Sequence, residues 1–310
     1  NYLWRNIYMK IAITGSSGLI GNALIEKLTK KGNEILEITR GNHEIEDVMW
    51  DPKNNWIKED IFIDVDVVIN LSGHTIGGRL TKNAKKEVYT SRVNLTNLLV
   101  QELIKYPKKP TQLINASAMG YYGNRYNEEL DENSTPGQGF LASLPQDWES
   151  EARKIEEYGV KVARLRTGLV FSNKGGFLNR PIIPAISLLT LFKLGIAGKI
   201  GNGKQWMPWI SLTDAVNAIE FIIENQIDGP VNLVSPSQVT NKEFTKALGK
   251  VIKRPTLIPV PALPLKLIFG EFAKDGLLGG QKALPKKLMN HGFEFSYPNI
   301  SDALKAELAK

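Results

Sequence analysis

Apolar positions in the first two-thirds of the chain fall into short runs separated by longer stretches of helical spacing. Ile11–Ile13 is a run of consecutive apolar residues, the pattern of a strand buried on both faces. Ile20, Leu24 and Leu28 then recur every four residues, the apolar stripe of a helix that ends near Gly32. Strand-like runs return at Ile35–Thr39, Asp64–Leu71, Leu113–Ala116 and Val160–Phe171, with helices expected around Ala84–Ile104 and over Trp148–Tyr158. Strands alternating with helices predict an α/β fold built on a doubly wound parallel sheet.

From about Gly175 the texture changes. Prolines gather at 181, 184, 255, 259, 261 and 264, and the alternation becomes irregular. Thr213–Glu224 still reads as a helix and Val231–Val234 as a short strand returning to the sheet. Two regions are therefore expected. Residues 9–175 with about 208–234 would form the sheet domain. About 176–207 with 235–310 would form a smaller cap at the C-terminal edge of the sheet, where ligands of such folds bind.

Composition narrows the function classes. At 310 residues, with 42% hydrophobic and 23% charged residues, the chain can bury a large core and does not read as disordered. The absence of cysteine excludes disulfides, thiolate metal sites and a cysteine nucleophile. His43, His74 and His291 lie far apart and show no metal-ligand spacing, so no metal is expected. The net charge of +7 is spread over short groups such as Lys85-Lys86 and Lys286-Lys287, with no aromatic interleaving. It suits an anionic small molecule better than nucleic acid. The longest apolar stretch, Pro181–Phe192, is far short of the ~20 residues needed to cross a bilayer, so no membrane partner is expected. Residues 1–8 carry no basic-then-apolar signal and read as a cloning remnant or an upstream extension; the expected location is the cytoplasm.

The sharpest chemical signal is KIAITGSSGLIG, where the first strand runs directly into Gly15-x-x-Gly18-x-x-Gly21. Glycines at this spacing allow a tight turn, close approach of backbone to a diphosphate and close packing of the following helix. The helix then presents free N–H groups and the positive end of its dipole to the phosphates. Gly15, Ser16, Ser17, Gly18, Leu19, Ile20 and Gly21 are thus expected to hold a nicotinamide dinucleotide. An acid near the end of the second strand would accept a ribose 2′-hydroxyl. That end is Thr39, 18 residues past Gly21, and it is followed by Arg40 rather than an acid. A guanidinium there suits a 2′-phosphate, so NADP(H) is expected in preference to NAD(H).

These motifs resemble the extended short-chain dehydrogenases/reductases, the NAD-dependent epimerase/dehydratase family, and so imply a Rossmann-type fold. TGSSGLIG matches that family's glycine motif, and DVVINLSG matches its fourth-strand segment, which implies that Leu71, Ser72 and Gly73 lie against the cofactor. INASAMGYYG resembles the strand carrying the family's serine, here Ser117, and LRTGLVFSNKGG the later loop with Arg166 and Gly168. The loop GGRLT around Arg79, FLASLPQDWE, GNGKQWMPWI and the tail from Pro259 to Pro298 resemble an atypical branch named for sugar-nucleotide epimerases, also described as cell-division-inhibitor-like.

The chain departs from the family pattern at its chemistry. Members that do redox work carry Tyr-x-x-x-Lys, the lysine helping the phenol to exchange a proton. Aligning on Glu149 puts Leu141 and Pro145 at those two positions, and neither can move a proton. The remaining candidates for catalysis are Ser117, Tyr121 and Tyr122. His74, Arg79 and Trp206 are candidates for the substrate, and Asp214 reads as a helix cap or an orienting residue. Two functions follow: an NADP(H)-dependent oxidoreductase or epimerase acting on a small polar, sugar-like substrate, or a catalytically silent NADP(H)-binding regulatory or scaffold protein.

Overall fold

The computed structural model describes residues 8–179, 181–183 and 186–309; the 1–8 extension apart from Tyr8, and Pro184 in the apolar stretch, lie outside them. Six parallel strands form the central sheet: β1 (Lys10–Thr14), β2 (Glu34–Ile38), β3 (Val67–Asn70), β4 (Gln112–Ala118), β5 (Lys161–Thr167) and β6 (Gly229–Leu233). Their order across the sheet is β2-β1-β3-β4-β5-β6. The chain leaves β1 in one direction for β2 and then crosses back to β3. The strand order therefore reverses between β1 and β3, where a crevice opens beyond their carboxyl ends.

Alternation along β1 explains the layering. Ile11 and Ile13 point into a core shared with Leu24 and Leu28 of α1 (Leu19–Lys30). Ala12 points into the opposite core with Leu99 and Leu103. On that face run α2 (Lys82–Tyr89), a π turn over Thr90–Asn94, α3 (Leu95–Leu103) and α4 (Phe140–Arg153). The first face is completed by α5 (Leu212–Glu224), through Ala215, Ile219 and Ile222. A third core joins Leu178, Phe192, Phe244, Leu248 and Leu304 to Phe171 and Trp209, whose rings stack 5.5 Å apart.

Several elements differ from the sequence expectation. The run Val160–Phe171 is two strands, because after Gly168 the chain leaves the central sheet and Leu169–Phe171 pairs instead with Trp209–Ser211. Helix α4 begins at Phe140 rather than near Trp148 and holds Pro145 in its interior. Burial of Ala142, Leu144 and Trp148 on one face outweighs the hydrogen bond that the proline cannot make. The two-residue strands Trp50–Asp51 and Trp56–Ile57 form a hairpin too short to leave any periodicity.

Candidate cofactor and active site

Two clefts meet at Gly73 and His74, above the carboxyl ends of the strands. The first, about 810 Å³, runs from the glycine turn past Leu71, Ser72 and Gly73 to Ser117, Gly168 and Trp206. Gly15 is left-handed (φ 71°), and a Cβ there would stand 2.8 Å from the Leu71 carbonyl. On Gly21 a Cβ would stand 2.4 Å from the Gly15 carbonyl oxygen, which is why α1 can start so close to β1. Gly18 caps α1 without a side-chain hydrogen bond, leaving the first N–H groups of that helix for a ligand. The second cleft, about 1140 Å³, opens beyond β2 and is lined by Arg40, Lys53, Lys86, His43 and His74, together with the acids Glu44, Asp51 and Glu87. Among the described residues, Arg40, Lys53 and Lys86 form no ion pair, whereas Asp51 in the same wall is bonded to His43 (2.7 Å) and Asn54 (2.9 Å). The hydrogen bond from His43 holds the Asp51 carboxyl well below its usual range. A cradle that tolerates no Cβ, an uncapped helix start and an adjoining cleft that presents Arg40 at the end of β2 together fit a dinucleotide.

The turn residues Ser16 and Ser17 lie outside the lining of the first cleft, unlike Gly15, Gly18, Leu19, Ile20 and Gly21. Thr39 is also outside, because its hydroxyl donates to the Asp47 carbonyl while the next residue, Arg40, lines the second cleft. His74, expected on the nicotinamide side, is in that second cleft beside Arg40; its N–H donates to Ser91 Oγ (3.0 Å), which turns the chain away from the first. Arg79 is exposed and lies beside Gly270 rather than in either cleft. Trp206 lines the first cleft and donates its indole N–H to Asn127 (2.9 Å), whereas Trp209 is core. Asp214 is completely buried and is not a cap: Ser211 caps α5, and the Asp214 carboxylate accepts the N–H groups of Ser296 (2.7 Å) and Tyr297 (3.0 Å), tying down the C-terminal tail.

Beneath Ser117 lies a buried polar network. Glu149 accepts from Arg166 Nε (2.8 Å) and Nη2 (2.9 Å), and also from Ser117 Oγ (2.7 Å). Arg166 Nη1 donates to the Tyr122 hydroxyl (2.9 Å), which donates in turn to Asn232 (2.6 Å). Tyr121 lies with its ring 3.4 Å from the Arg166 guanidinium carbon. Burial opposes the charge on Arg166, but Glu149 more than offsets this and holds the guanidinium above its usual value. Burial pushes the Tyr122 phenol up to about 12, against the pull of Arg166 and Asn232.

The network corrects three expectations. Arg166, expected at the cofactor, is spent on Glu149 and is 3% exposed. Tyr122, fully buried and held protonated, does not reach the cleft, and Tyr121 stacks on Arg166 outside its lining. Ser117 does line the cleft, but its one proton goes to a carboxylate that can only accept. Toward a ligand its oxygen is therefore an acceptor, suited to a hydroxyl or amide donor rather than to a carbonyl.

Leu141 and Pro145 both face the cleft, as the alignment on Glu149 expects, so an apolar wall stands where the tyrosine and lysine would be. Among the described lining residues the ionisable ones are Arg92 and Asp275, both missed from sequence. Each sits in a π turn, Thr90–Asn94 and Ala273–Leu277, a local widening that helical periodicity does not reveal.

Comparison with known proteins agrees with this architecture. A model of the NAD dependent epimerase/dehydratase family matches residues 11–234, and a domain of unknown function (DUF1731) matches residues 260–307. An epimerase family protein of Mycobacterium tuberculosis, MT2273, is 41% identical over 297 residues, covering 95% of this chain and 96% of its own. The epimerase family protein YfhF of Bacillus subtilis is 34% identical over 313 residues, covering 97% and 98%. The crystal structure of human epimerase family protein SDR39U1 with NADPH superposes with a TM-score of 0.86 at 28% identity, over 97% of this chain and all of that one. With a glycine turn opening α1, a strand reversal beside it and a family match over most of its length, the chain belongs to the NAD dependent epimerase/dehydratase family.

Proposed function

We propose that the protein binds NADP(H) in preference to NAD(H) and works as an oxidoreductase or epimerase on a small polar, sugar-like substrate. The observation that carries the cofactor preference is Arg40, free of any ion pair among the described residues, in the cleft at the end of β2. A bidentate guanidinium there matches a 2′-phosphate, and Lys53 and Lys86 line the same cleft without an ion pair among the described residues. The NADPH held by human SDR39U1 supports the reading.

Gly15 and the start of α1 would hold the diphosphate, and Leu71–Gly73 would lie along the ribose. When bound, the cofactor supplies or accepts a hydride. Ser117 accepts a hydrogen bond from a substrate hydroxyl, and Leu141, Pro145 and Trp148 keep water from that wall. With both tyrosines outside the lining, Asp275 is the acidic group among the described lining residues that can take or return a proton.

A second reading, cofactor binding without turnover in a regulatory or scaffold protein, is favoured by one observation: the apolar pair Leu141 and Pro145. Fluorescence titration with NADPH and NADH, repeated on Arg40→Ala, tests the first part. NADPH should bind at least tenfold more tightly than NADH, and the mutation should abolish the difference; equal affinities would refute the preference. Reduction of any member of a carbonyl and sugar-nucleotide panel separates turnover from the silent reading.

A further inference from the structure

Arg92 has a position that no part of the cofactor reading uses. It projects from the π turn Thr90–Asn94, between α2 and α3, into the wall of the first cleft. Its guanidinium carbon lies 5.2 Å from the Trp148 ring centre. Among the described residues Nη1 reaches the Val88 carbonyl and the Ser91 hydroxyl, each at a long 3.4 Å. Among the described residues no carboxylate comes within ion-pair distance, in contrast to Arg166, whose charge is fully matched by Glu149. A guanidinium left largely buried and uncompensated is costly, and burial alone pushes this one down to about 10.

The wall between this cation and the cleft is Gly73. A Cβ at that position would stand 3.1 Å from the guanidinium carbon, so the missing side chain leaves the cation open to whatever fills the cleft. Trp148 packs against the guanidinium and holds its planar fork in place. Pro145 lies one helical turn before Trp148 on α4, so Arg92 brings a positive charge to the wall where the family's lysine is missing. The π turn is a widening of a kind that recurs at functional sites.

We propose that Arg92 is an oxyanion subsite, holding a phosphoryl or carboxylate group of the ligand that occupies the first cleft. The inference rests on that cleft being a ligand site, and not on which dinucleotide it takes. The oxyanion has two possible sources with the same chemistry, the diphosphate of the cofactor or an acidic group of the substrate.

The test is calorimetric titration of inorganic pyrophosphate, at constant ionic strength, into cofactor-free and NADPH-saturated protein. It is run on the wild type, Arg92→Met and Arg92→Lys, with NADPH affinity and Tm measured alongside. Arg92→Met should weaken pyrophosphate binding at least tenfold, Arg92→Lys about threefold, and the Met variant should melt no lower than the wild type, since it removes an uncompensated buried charge. If NADPH saturation blocks pyrophosphate and Arg92→Met also weakens NADPH, the oxyanion is the cofactor's. If pyrophosphate still binds the NADPH complex and NADPH affinity is unchanged, it is the substrate's. Unchanged pyrophosphate affinity in Arg92→Met overturns the proposal, as does wild-type protein that binds NADPH but no pyrophosphate in either state. Arg92→Lys keeps the charge and decides the matter if the Met variant does not fold. Arg92-dependent pyrophosphate binding without any NADPH binding would refute the cofactor reading and leave the subsite standing.

Discussion

Replacing Glu149 by Ala removes the acceptor at the centre of the buried network. Three hydrogen bonds disappear together, from Ser117 Oγ at 2.7 Å and from Arg166 Nε and Nη2 at 2.8 and 2.9 Å. Hydrogen bonds to charged groups contribute about 1.5–3 kcal/mol each when taken singly, but they share one carboxylate and do not add. The larger cost is the cation left behind. Arg166 is 3% exposed and, among the described residues, would keep the Tyr121 ring at 3.4 Å and two neutral acceptors, the Tyr122 hydroxyl and the Glu132 carbonyl, at 2.9 and 3.4 Å. Removing one partner of a buried pair costs about 3–5 kcal/mol. Against a domain stability of about 5–15 kcal/mol, that is at least about a fifth of the total. Urea unfolding followed by far-UV circular dichroism should show a midpoint shift corresponding to about 4 kcal/mol. Arg166→Met in the Glu149→Met background should recover most of it, because an apolar pair of similar volume replaces both charges. A loss below about 1 kcal/mol, or a double variant as unstable as the sum of the singles, would refute the reasoning. Either result would mean that the guanidinium has another compensating partner and that Ser117 is not committed as a donor.

Gly21→Ala would put a Cβ 2.4 Å from the Gly15 carbonyl oxygen, where only backbone movement makes room. It should cost about 1–3 kcal/mol of stability and at least tenfold in NADPH affinity by fluorescence titration. Unchanged affinity would show that the glycine turn does not seat the cofactor. Tyr122, with its phenol pushed up to about 12, holds its proton more tightly folded than unfolded. Its contribution is therefore fully present below an unfolded value of about 10 and is lost as pH rises from about 10 through about 12, amounting to about 2–3 kcal/mol. Tyr122→Phe should flatten the fall of stability over that window, measured by urea midpoints at fixed pH, and a slope unchanged from the wild type would contradict the burial of this phenol.

The first strand, the glycine turn and the stripe of α1 were legible in the chain because each depends on neighbours close in sequence. A run of three apolar residues, a spacing of glycines and a four-residue repeat are local patterns, and burial on both sheet faces keeps them clean. The basic residue after β2 and the empty Tyr-x-x-x-Lys positions were legible for the same reason, since their places in the fold follow from strand ends and fixed spacings. What only the tertiary structure decided is which polar side chains face the cleft and which are used up beneath it. Arg166 and Arg92 look alike in sequence, each standing between one apolar and one polar neighbour. One meets Glu149, brought from 17 residues away by α4 packing on β5, and is neutralised. The other meets an indole ring and a glycine and keeps its charge for a ligand. Tyr121, Tyr122 and His74 were placed by the same kind of long-range pairing, with Arg166, Asn232 and Ser91. Sequence spacing set where the backbone of the site would be. Whether a charge in it is free or compensated depends on partners that only folding brings within hydrogen-bond distance.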